Sequence, residues 1–468
     1  MYQINFDTPV SVHFIGIGGI SMSALAELLH HRGFTVSGSD LKASPLTERL
    51  KGLGITISYA QQAENITKEH AFVVYTAAVH ADNPEMLRAR ELNLPVLERK
   101  DLLGQIMKQY RHVAGISGSH GKTTTTSMLS LMLLEGKLDP TILVGGVLDG
   151  IGGNLRVGSA DYLVAEACEY CNSFLSFYPT DAVILNIEAE HLDFFKDLDD
   201  IRHSFRKYCE LLPAGGTLVL NECIERPEEF TGGLPIRVLT YGICDSVSDC
   251  GAYTLAAANL SFDQNGFGSY DFYYNKELLG RISLKVIGKH NISNSLAAAA
   301  LALTYGVSFD AIAAALSKYT GTHRRFEFKG EVNGIRVYDD YAHHPSEISA
   351  TLSAARACLS GTEELWCAYQ PHTFSRTKAF LHEFAESLSF ADHIVLADIY
   401  SASREKDPGD ISSADIARLL KEKGKDVYHF HSFEEIQNFL SEHCKSQDLL
   451  ITMGAGDIVN VAEQLLHS

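Results

Sequence analysis

The sequence predicts an α/β protein of three domains, and two observations carry that prediction. The chain has 468 residues, which exceeds a single compact core if a domain averages about 150 residues. Apolar runs of roughly four to six residues repeatedly precede glycine-rich turns and then helical patterns, which is typical of strand–turn–helix units in a parallel sheet. Three of these turns are unusually rich in glycine, and we expect each to mark one domain.

The three units follow one another along the chain. Their predicted strands, turns and helices are residues 10–15, 16–19 and 22–29 in the first, 112–116, 118–122 and 123–134 in the second, and 449–452, 454–456 and 458–466 in the third. Between the second and third units, residues 293–303 and 310–319 have helical patterns, and residues 326–332 alternate. Aromatic alternation around the turns Asn265-Gly266 and Asn275-Lys276 predicts an antiparallel addition within residues 238–286. We place the domain changes near Lys108 and near residues 319–321.

Composition excludes several classes of protein. Hydrophobic residues make up 46% and charged residues 21%, as in ordinary globular proteins. The formal net charge of −19 repels nucleic acid and anionic membranes, so we expect neither as a partner. Nine scattered cysteines and an N-terminus without the features of a signal peptide predict a cytoplasmic protein with reduced thiols. The longest small-apolar run, residues 296–303, is too short for a membrane span.

The second glycine turn predicts an ATP-binding loop. A triphosphate requires converging backbone N–H groups, a flexible cation and a hydroxyl group for Mg²⁺. Gly118-Ser119-His120-Gly121-Lys122-Thr123-Thr124 supplies all three. Ile116 stands five positions before Gly121, so the loop has the shorter GxxGKT form, and the strand before it and the helix after it argue against a chance glycine turn.

Two strand ends supply candidates for a metal site beside this loop. A predicted strand at residues 162–165 leads into Glu166, and another at residues 182–185 leads into Asn186, with His191 five residues on. The carboxyl ends of parallel strands meet at the edge of the sheet where ligands bind. Glu166 is therefore a candidate Mg²⁺ ligand, whereas a surface role and a ligand role for His191 remain equally open on the residues alone.

Nine short motifs together resemble the ATP-dependent Mur ligase family of peptidoglycan synthesis, over the whole chain. In the family's order they are GIGGISMSALA (16–26), GSHGKTTTT (118–126), EACEY (166–170), NIEAEHLD (186–193), GKHNISNSLAA (288–298), HRRFE (323–327), DDYAHHP (339–345), PHTFSRT (371–377) and GAGD (454–457). The resemblance implies a Rossmann-like UDP-sugar-binding domain at residues 1–107, a central P-loop ATPase-type sheet that binds ATP and Mg²⁺ at 108–320, and a Rossmann-like amino-acid-binding domain at 321–468.

The resemblance also implies roles for individual residues. The UDP-sugar would contact Gly16, Gly18, Gly19, Ile20, Ser21, Asp40 and His120. ATP would contact Gly118, Ser119, His120, Gly121, Lys122, Thr123 and Thr124, with Asn291 and Asn294 at the adenine, Arg325 at the terminal phosphates and Asp340 at the ribose. Thr123 and Glu166 would hold one Mg²⁺ and His191 a second. The groups nearest the chemistry would be Lys122, His191 and Arg325, and, about the incoming alanine, His343, His372 and Arg376.

The activity implied is ATP-dependent amide formation between L-alanine and the lactyl carboxylate of UDP-N-acetylmuramate. A carboxylate is a poor electrophile, and transfer of the γ-phosphoryl group of ATP would convert it into an acyl phosphate that the amine of alanine attacks. Lys122, Arg325 and Mg²⁺ would offset the charge of the transferring phosphoryl group. We expect a monomer or a weak homodimer.

Three other activities remain to be weighed. A sister ligase that attaches a preformed peptide to the same sugar nucleotide carries nearly the same motifs, and Tyr341 and the EACEY segment only modestly favour alanine. Gly16-x-Gly18-x-x-Ser21 with Asp40 imitates the fingerprint of an NAD-dependent oxidoreductase, with Ser21 in place of the third glycine. A simple dehydrogenase does not need the loop at residues 118–124, and a non-enzymatic nucleotide-binding protein is similarly remote.

Three further features of the sequence require a separate interpretation. Some relatives carry a carbamylated lysine, but no motif assigns Arg206 or Lys207 to that role. Cys168 and Cys171 form a C-x₂-C pair without a second pair to complete a zinc site, so ordinary packing is favoured. The adjacent imidazoles of His343 and His344 favour substrate contact over a metal.

Overall fold

A computed structural model of the chain describes residues 2–192, 194–359, 361–401 and 405–467. Asp193, the last residue of the NIEAEHLD motif, lies outside these ranges. The chain forms two compact units, and each is described separately. The first comprises Met1–Glu188, Asp199–Thr240 and Ala297–Ser308, and the second Ala189–Leu198, Tyr241–Leu296 and Phe309–Ser468.

The first unit opens with a five-stranded parallel sheet of order β3-β2-β1-β4-β5. Its strands are β1 Ser11–Ile15, β2 Thr35–Ser39, β3 Thr56–Ser58, β4 Phe72–Tyr75 and β5 Val96–Glu98, and its helices are α1 Ile20–His31, α2 Pro45–Gly52, α3 Pro84–Glu91 and α4 Arg99–Met107. The central strand β1 buries four of its five residues, so the glycine turn that follows it leaves the sheet at the middle.

A second sheet in the first unit carries the phosphate loop. Its strands here are β6 His112–Ser117, β7 Thr141–Leu148, β8 Gly153–Arg156, β9 Tyr162–Glu166, β10 Asp181–Ile184 and β11 Thr217–Asn221, with helices α5 Lys122–Glu135, α6 Leu198–Cys209 and α7 Glu228–Thr231. The order is β11-β10-β6-β9-β7-β8, parallel except for the β7–β8 pair. Because β6 lies between β10 and β9, the ends of both neighbours flank the loop.

The chain passes from the first unit into the second within strand β12, Arg237–Ile243. In the second unit, the end of β12 pairs in parallel with β13, and β13, β14 and β15 pair antiparallel. These strands are β13 Leu255–Phe262, β14 Phe267–Tyr274 and β15 Glu277–Ile287, and the helices that follow are α8 Lys289–Thr304 and α9 Phe309–Lys318. Helix α8 begins in the second unit, and its residues from Ala297 onward belong to the first. The predicted antiparallel addition is confirmed.

The last sheet lies wholly in the second unit and has the order β16-β17-β21-β18-β19-β20. Its strands are β16 Glu327–Val332, β17 Ile335–Asp340, β18 Leu365–Tyr369, β19 His393–Leu396, β20 Asp426–His429 and β21 Leu449–Met453, and its helices are α10 Pro345–Ala357, α11 Phe374–Ala379, α12 Leu381–Leu388, α13 Ser413–Glu422, α14 Phe433–His443 and α15 Val459–His467. Only β16, on the edge, runs antiparallel to its neighbour among the strands described.

Helices cover both faces of this last sheet. Along β18, Leu365, Cys367 and Tyr369 belong to one buried cluster, whereas Trp366 and Ala368 belong to another. Successive side chains of a strand point to opposite faces, so the two clusters are the two cores of a doubly wound sheet. All five residues of β18 are buried, which places it at the centre.

The predicted α/β class with parallel sheets and an antiparallel addition is confirmed. The strands and helices of the three glycine-turn units end within a few residues of the predicted positions. The antiparallel pairs β7–β8 and β16–β17 were not predicted. Among the helices that the structure describes, none is long and apolar enough to cross a bilayer.

Candidate functional site

The phosphate loop connects β6 to α5 through two glycines in the left-handed region. Gly118 has a φ angle of 136° and Gly121 has a φ angle of 85°, and residues with a Cβ atom rarely adopt either angle. The loop is held to the strand beside it, because Ser119 N donates to the Asn186 carbonyl at 3.2 Å and His120 N donates to Asn186 Oδ1 at 2.8 Å. Asn186 follows β10, so the predicted meeting of these strand ends is present.

Lys122 folds back over this loop from the first residue of α5. Its Nζ atom donates to the carbonyl of Gly118 and to that of Ser119 at 3.0 Å, and it lies 3.2 Å from Glu169 Oε2. The Glu169 side chain is only 2% exposed. A buried carboxylate thus pairs with the lysine that the sequence predicts for the phosphates. Glu169 belongs to the EACEY motif but was not predicted as a site residue.

Glu166 is the last residue of β9, and Thr123 is the second residue of α5. The register pairs Ile116 of β6 with Glu166, so its carboxylate stands at the edge where the loop begins. Glu166 Oε1 accepts a hydrogen bond from Gly145 N at 2.6 Å, which fixes the carboxylate against β7. Thr123 and its neighbour Thr124 are both buried. The Thr123 hydroxyl and the Glu166 carboxylate are oxygen ligands of the kind that Mg²⁺ prefers.

His120 lies against the NIEAEHLD segment. Its Nε2 atom is 3.2 Å from Glu188 Oε2, and Glu188 N donates to Ser119 Oγ at 2.9 Å. Asn186 Nδ2 also donates to the His120 carbonyl at 3.1 Å. The loop conformation therefore depends on a segment more than 60 residues away in sequence. Glu188 was not among the predicted residues, although it lies in a quoted motif.

The first glycine turn, at residues 16–19, is hydrogen-bonded to Asp40, the acidic residue that was predicted with it. Gly18 N donates to Asp40 Oδ2 at 2.7 Å, and a Cβ atom at Gly18 would lie 2.8 Å from the same oxygen. Gly16 has φ of 79°. Gly19 precedes α1 as its N-terminal cap, and Ile20 and Ser21 are the first residues of that helix. The turn thus presents a helix N-terminus, which suits the pyrophosphate of a sugar nucleotide.

Arg99 adds a cation to this turn that the sequence did not predict. Its Nη1 atom donates to Ser21 Oγ at 3.0 Å, and burial lowers the pKa of its guanidinium. Arg99 begins α4, the helix after the edge strand β5. No motif of the chain includes it, so only the fold brings it to Ser21.

In the second unit, a buried carboxylate gathers four predicted residues. Glu190 is about 5% exposed, and its Oε1 atom lies 3.4 Å from Arg376 Nη2, 3.7 Å from His343 Nε2 and 3.8 Å from His191 Nε2. Arg376 Nη1 is 3.3 Å from His372 Nδ1, and the rings of His343 and His372 are 5.8 Å apart. The predicted residues His191, His343, His372 and Arg376 therefore form one cluster around Glu190, which was not predicted.

Arg325 and Asp340 lie at the carboxyl end of β17. Arg325 stands over the ring of Tyr341 at 5.2 Å and is 3.9 Å from Glu347 Oε1. Asp340 accepts hydrogen bonds from the backbone N–H groups of Phe326 at 2.8 Å and Ala342 at 2.7 Å. Burial raises the pKa of Asp340 to about 6, against the opposing effect of Arg325.

The remaining predicted residues, Asn291 and Asn294, lie on α8. Asn294 Nδ2 donates to Asn291 Oδ1 at 3.2 Å, and Asn291 Nδ2 donates to the Ile287 carbonyl at 2.8 Å, so the two amides form one chain of hydrogen bonds.

Cys168 is a free thiol whose pKa burial raises to about 11, which agrees with the packing interpretation of the C-x₂-C pair.

Three family descriptions match in succession: "Mur ligase family, catalytic domain" over residues 11–111, "Mur ligase middle domain" over 116–302 and "Mur ligase, glutamate ligase domain" over 324–456. A UDP-N-acetylmuramate–L-alanine ligase of Lachnoclostridium phytofermentans is 56% identical over 471 residues, with 100% of both chains covered. A relative of the same name in Agathobacter rectalis is 53% identical, again over 100% of both chains.

Solved structures agree with these matches. The UDP-N-acetylmuramate–alanine ligase of Thermotoga maritima superposes with a TM-score of 0.82 at 28% identity, covering 98% of each chain. A murein peptide ligase of Psychrobacter arcticus superposes with a TM-score of 0.74 at 25% identity, again with 98% of each chain covered. The three family models together span most of the sequence. The chain belongs to the Mur ligase family.

Proposed function

We propose that this chain is an ATP-dependent ligase that joins L-alanine to the lactyl carboxylate of UDP-N-acetylmuramate, with release of ADP and phosphate, in peptidoglycan precursor synthesis. The observation that carries the proposal is the phosphate loop with Lys122 folded over it. It occurs in a chain that relatives named UDP-N-acetylmuramate–L-alanine ligase match from end to end. An ATP-binding loop and these relatives both support amide formation driven by ATP.

The phosphoryl transfer step would use the loop of the first unit. Backbone N–H groups of residues 118–124 and the N-terminus of α5 favour an anion, and Lys122 supplies a flexible cation beside them. Release from Glu169 would let Lys122 Nζ turn toward the β- and γ-phosphates. The lactyl carboxylate then attacks the γ-phosphorus, the bond to the β-phosphate oxygen breaks, and ADP leaves with that electron pair.

The donor atoms near the loop fit Mg²⁺. Thr123 and Glu166 would hold one ion and His191 would contribute to a second, and bound Mg²⁺ would neutralise phosphate charge. The Thr123 hydroxyl and the Glu166 carboxylate are both oxygen donors at the ends of adjacent elements. His191 is a less usual ligand for Mg²⁺, and its assignment depends on the family resemblance.

The amide-forming step would use the cluster around Glu190. The amine of alanine attacks the acyl phosphate, and the tetrahedral intermediate collapses with departure of phosphate. Arg376, held 3.4 Å from Glu190, is suited to bind the carboxylate of alanine, since guanidinium matches that group in two-point geometry. His343 and His372 border the same cluster and would orient the amino acid.

The proposal extends to domains and setting. UDP-sugar binding is assigned to residues 1–107, with Gly16, Gly18, Gly19, Ile20, Ser21, Asp40 and His120 as contacts. ATP and Mg²⁺ binding is assigned to residues 108–320, with Asn291 and Asn294 at the adenine. Amino-acid binding is assigned to residues 321–468. Two residues of this last range would also contact ATP, Arg325 at its terminal phosphates and Asp340 at its ribose. The enzyme would act in the cytoplasm as a monomer or a weak homodimer.

Phosphate release tests the activity directly. With Mg²⁺ and ATP, phosphate should appear only when both UDP-N-acetylmuramate and L-alanine are present. The assay is repeated across the twenty amino acids and with a tripeptide, since a peptide-attaching ligase is the nearest alternative. Equal release without alanine would refute the proposal, and a preference for the tripeptide would replace it by the sister activity.

A further inference from the structure

A second cluster of metal-binding side chains lies at the carboxyl edge of the last sheet, among residues that the proposed reaction does not use. Asp398 follows β19 by two residues, His429 is the last residue of β20, and His431 lies two residues beyond it. β19 and β20 are parallel neighbours, with Leu396 opposite His429. The two strand ends therefore bring one carboxylate and two imidazoles together.

The two imidazoles converge on that carboxylate. His429 Nε2 is 2.9 Å from Asp398 Oδ1, and His431 Nδ1 is 3.1 Å from Asp398 Oδ1 and 3.0 Å from Oδ2. One donor atom from each of the three side chains lies within 4.8 Å of the other two. The rings of His429 and His431 are 4.9 Å apart, so both present a nitrogen to the same small volume.

We propose that Asp398, His429 and His431 form a binding site for a divalent transition-metal ion such as Zn²⁺ or Co²⁺. Imidazole nitrogen suits these ions, whereas Mg²⁺ prefers oxygen ligands and retains its waters. Bonds of about 2.0–2.1 Å in tetrahedral geometry place ligand atoms roughly 3.3 Å apart. The present separations from Asp398 need to widen by only a few tenths of an ångström, and binding of one ion releases to solvent the protons that now join the imidazole nitrogens to the carboxylate.

The site is accessible and its backbone is supported. The side chains of Asp398 and His431 are 55% and 78% exposed, so water completes the coordination of the ion, while His429 at 17% is partly buried. Glu435 Oε2 accepts hydrogen bonds from His431 N at 3.2 Å and Ser432 N at 3.1 Å. This cap of α14 sets the direction in which the chain leaves β20, and with it the position of the second imidazole.

A bound ion would act on the segment after β19. Tyr400, two residues beyond Asp398, donates from its N–H to the Pro371 carbonyl at 2.8 Å, and its own carbonyl accepts from Thr373 N at 3.0 Å. Residues 371–373 include His372 of the cluster around Glu190. Tying Asp398 to the end of β20 would therefore restrain a segment that supports His372, without contact to the reacting groups.

Cobalt titration of the full-length protein tests the site. In excess Mg²⁺ and a non-hydrolysable ATP analogue, the wild type should bind an ion whose visible absorption reports imidazole ligation. The double variant His429→Gln/His431→Gln should lose one equivalent of bound ion, and Asp398→Asn should weaken that equivalent about tenfold or more. His382→Gln removes another exposed imidazole of the same unit and should bind as the wild type does.

The outcomes separate this site from the ligase activity. If the double variant keeps the stoichiometry, affinity and spectrum of the wild type, the proposed site is wrong, whatever the enzyme's activity. Circular dichroism and thermal unfolding without metal show that the variants are folded. Zn²⁺ should raise the unfolding temperature of the wild type and of His382→Gln, and it should raise that of the double variant less.

Discussion

Buried carboxylates stand beside two of the cationic residues predicted for the site. Glu169 pairs with Lys122 and Glu190 with Arg376, and the same pairing occurs between Asp339 and Arg324, which was not predicted. A buried charge is costly unless a partner is near, so each pair fixes the position of the cation as well as its charge. The carboxylates therefore act by positioning, and their replacement should affect substrate binding through the partner.

Glu190→Gln keeps the size of the side chain and removes the charge near Arg376. The guanidinium should then lose its fixed orientation, and the KM for alanine should rise about 10- to 100-fold, the usual value of a hydrogen bond to a charged group. Steady-state phosphate release measures this effect, and calorimetry should find UDP-sugar affinity unchanged. Glu383→Gln, on the exposed face of α12, serves as the matched control. An unchanged KM for alanine would contradict the positioning role.

Asp340→Asn tests the pKa of about 6 that burial imposes on this carboxyl. The native state holds the proton more tightly than the unfolded chain, so this group stabilises the fold at low pH and that contribution is lost as pH rises through about 6. From pH 4 to 7, the unfolding free energy of the wild type should fall relative to the variant by about 1–3 kcal/mol.

Urea unfolding at several pH values measures this difference. The difference between the two unfolding free energies should include a part that is the same at every pH, since the amide cannot accept both backbone hydrogen bonds as the carboxylate does. The test therefore depends on how the difference in unfolding free energy changes with pH. Asp82→Asn, at an exposed position, should follow the wild type, and parallel profiles for Asp340→Asn would show that Asp340 is not the group responsible.

At the scale of elements, the site is built where parallel strands end and helices begin. The loop after β6 contacts the residues after β10, and Glu166 ends β9 on the other side. At its carboxyl edge, the last sheet carries Asp340 at the end of β17, His372 after β18 and Gly454 after β21. Parallel strand order brings these strand ends together regardless of the sequence of the loops. The loops can therefore carry different chemical groups while the strands hold them at one edge of the sheet.

Gly118→Ala tests the shape of the phosphate loop. A Cβ atom there would lie 2.9 Å from the Cβ atom of Leu185, at φ of 136°. The loop must shift, and ATP affinity should fall about tenfold or more, with about 1–3 kcal/mol lost from stability. Gly52→Ala is the control, since a Cβ atom at Gly52 meets nothing within 4 Å and no positive φ is required. Nucleotide titration and thermal unfolding measure both effects, and full ATP affinity in Gly118→Ala would refute the loop assignment.

At the scale of the whole molecule, ATP and the sugar nucleotide are assigned to different glycine turns. The turn at residues 16–19 has its own partners, Asp40 and Arg99, and the loop at residues 118–121 has others, Asn186 and Glu169. The net charge of −19 makes such local devices necessary, because the overall field repels both anionic substrates.

Lys122→Ala should separate the two binding functions. Turnover should fall about 100-fold or more, because the cation that offsets phosphoryl charge is lost. UDP-sugar affinity measured by calorimetry should remain that of the wild type. A collapse of UDP-sugar affinity in a folded variant would show that the three-domain division of labour is wrong.

The sequence by itself determined the α/β class, the three glycine turns and the residues of the phosphate loop, because strand–turn–helix units and glycines at strained φ values leave local patterns. It also identified the family through its motifs. Only the tertiary structure decided which polar side chains meet: Glu169 with Lys122, Glu190 with Arg376 and Arg99 with Ser21. Those partners are far apart in sequence, and no local pattern records them, since their proximity follows from strand order and helix packing.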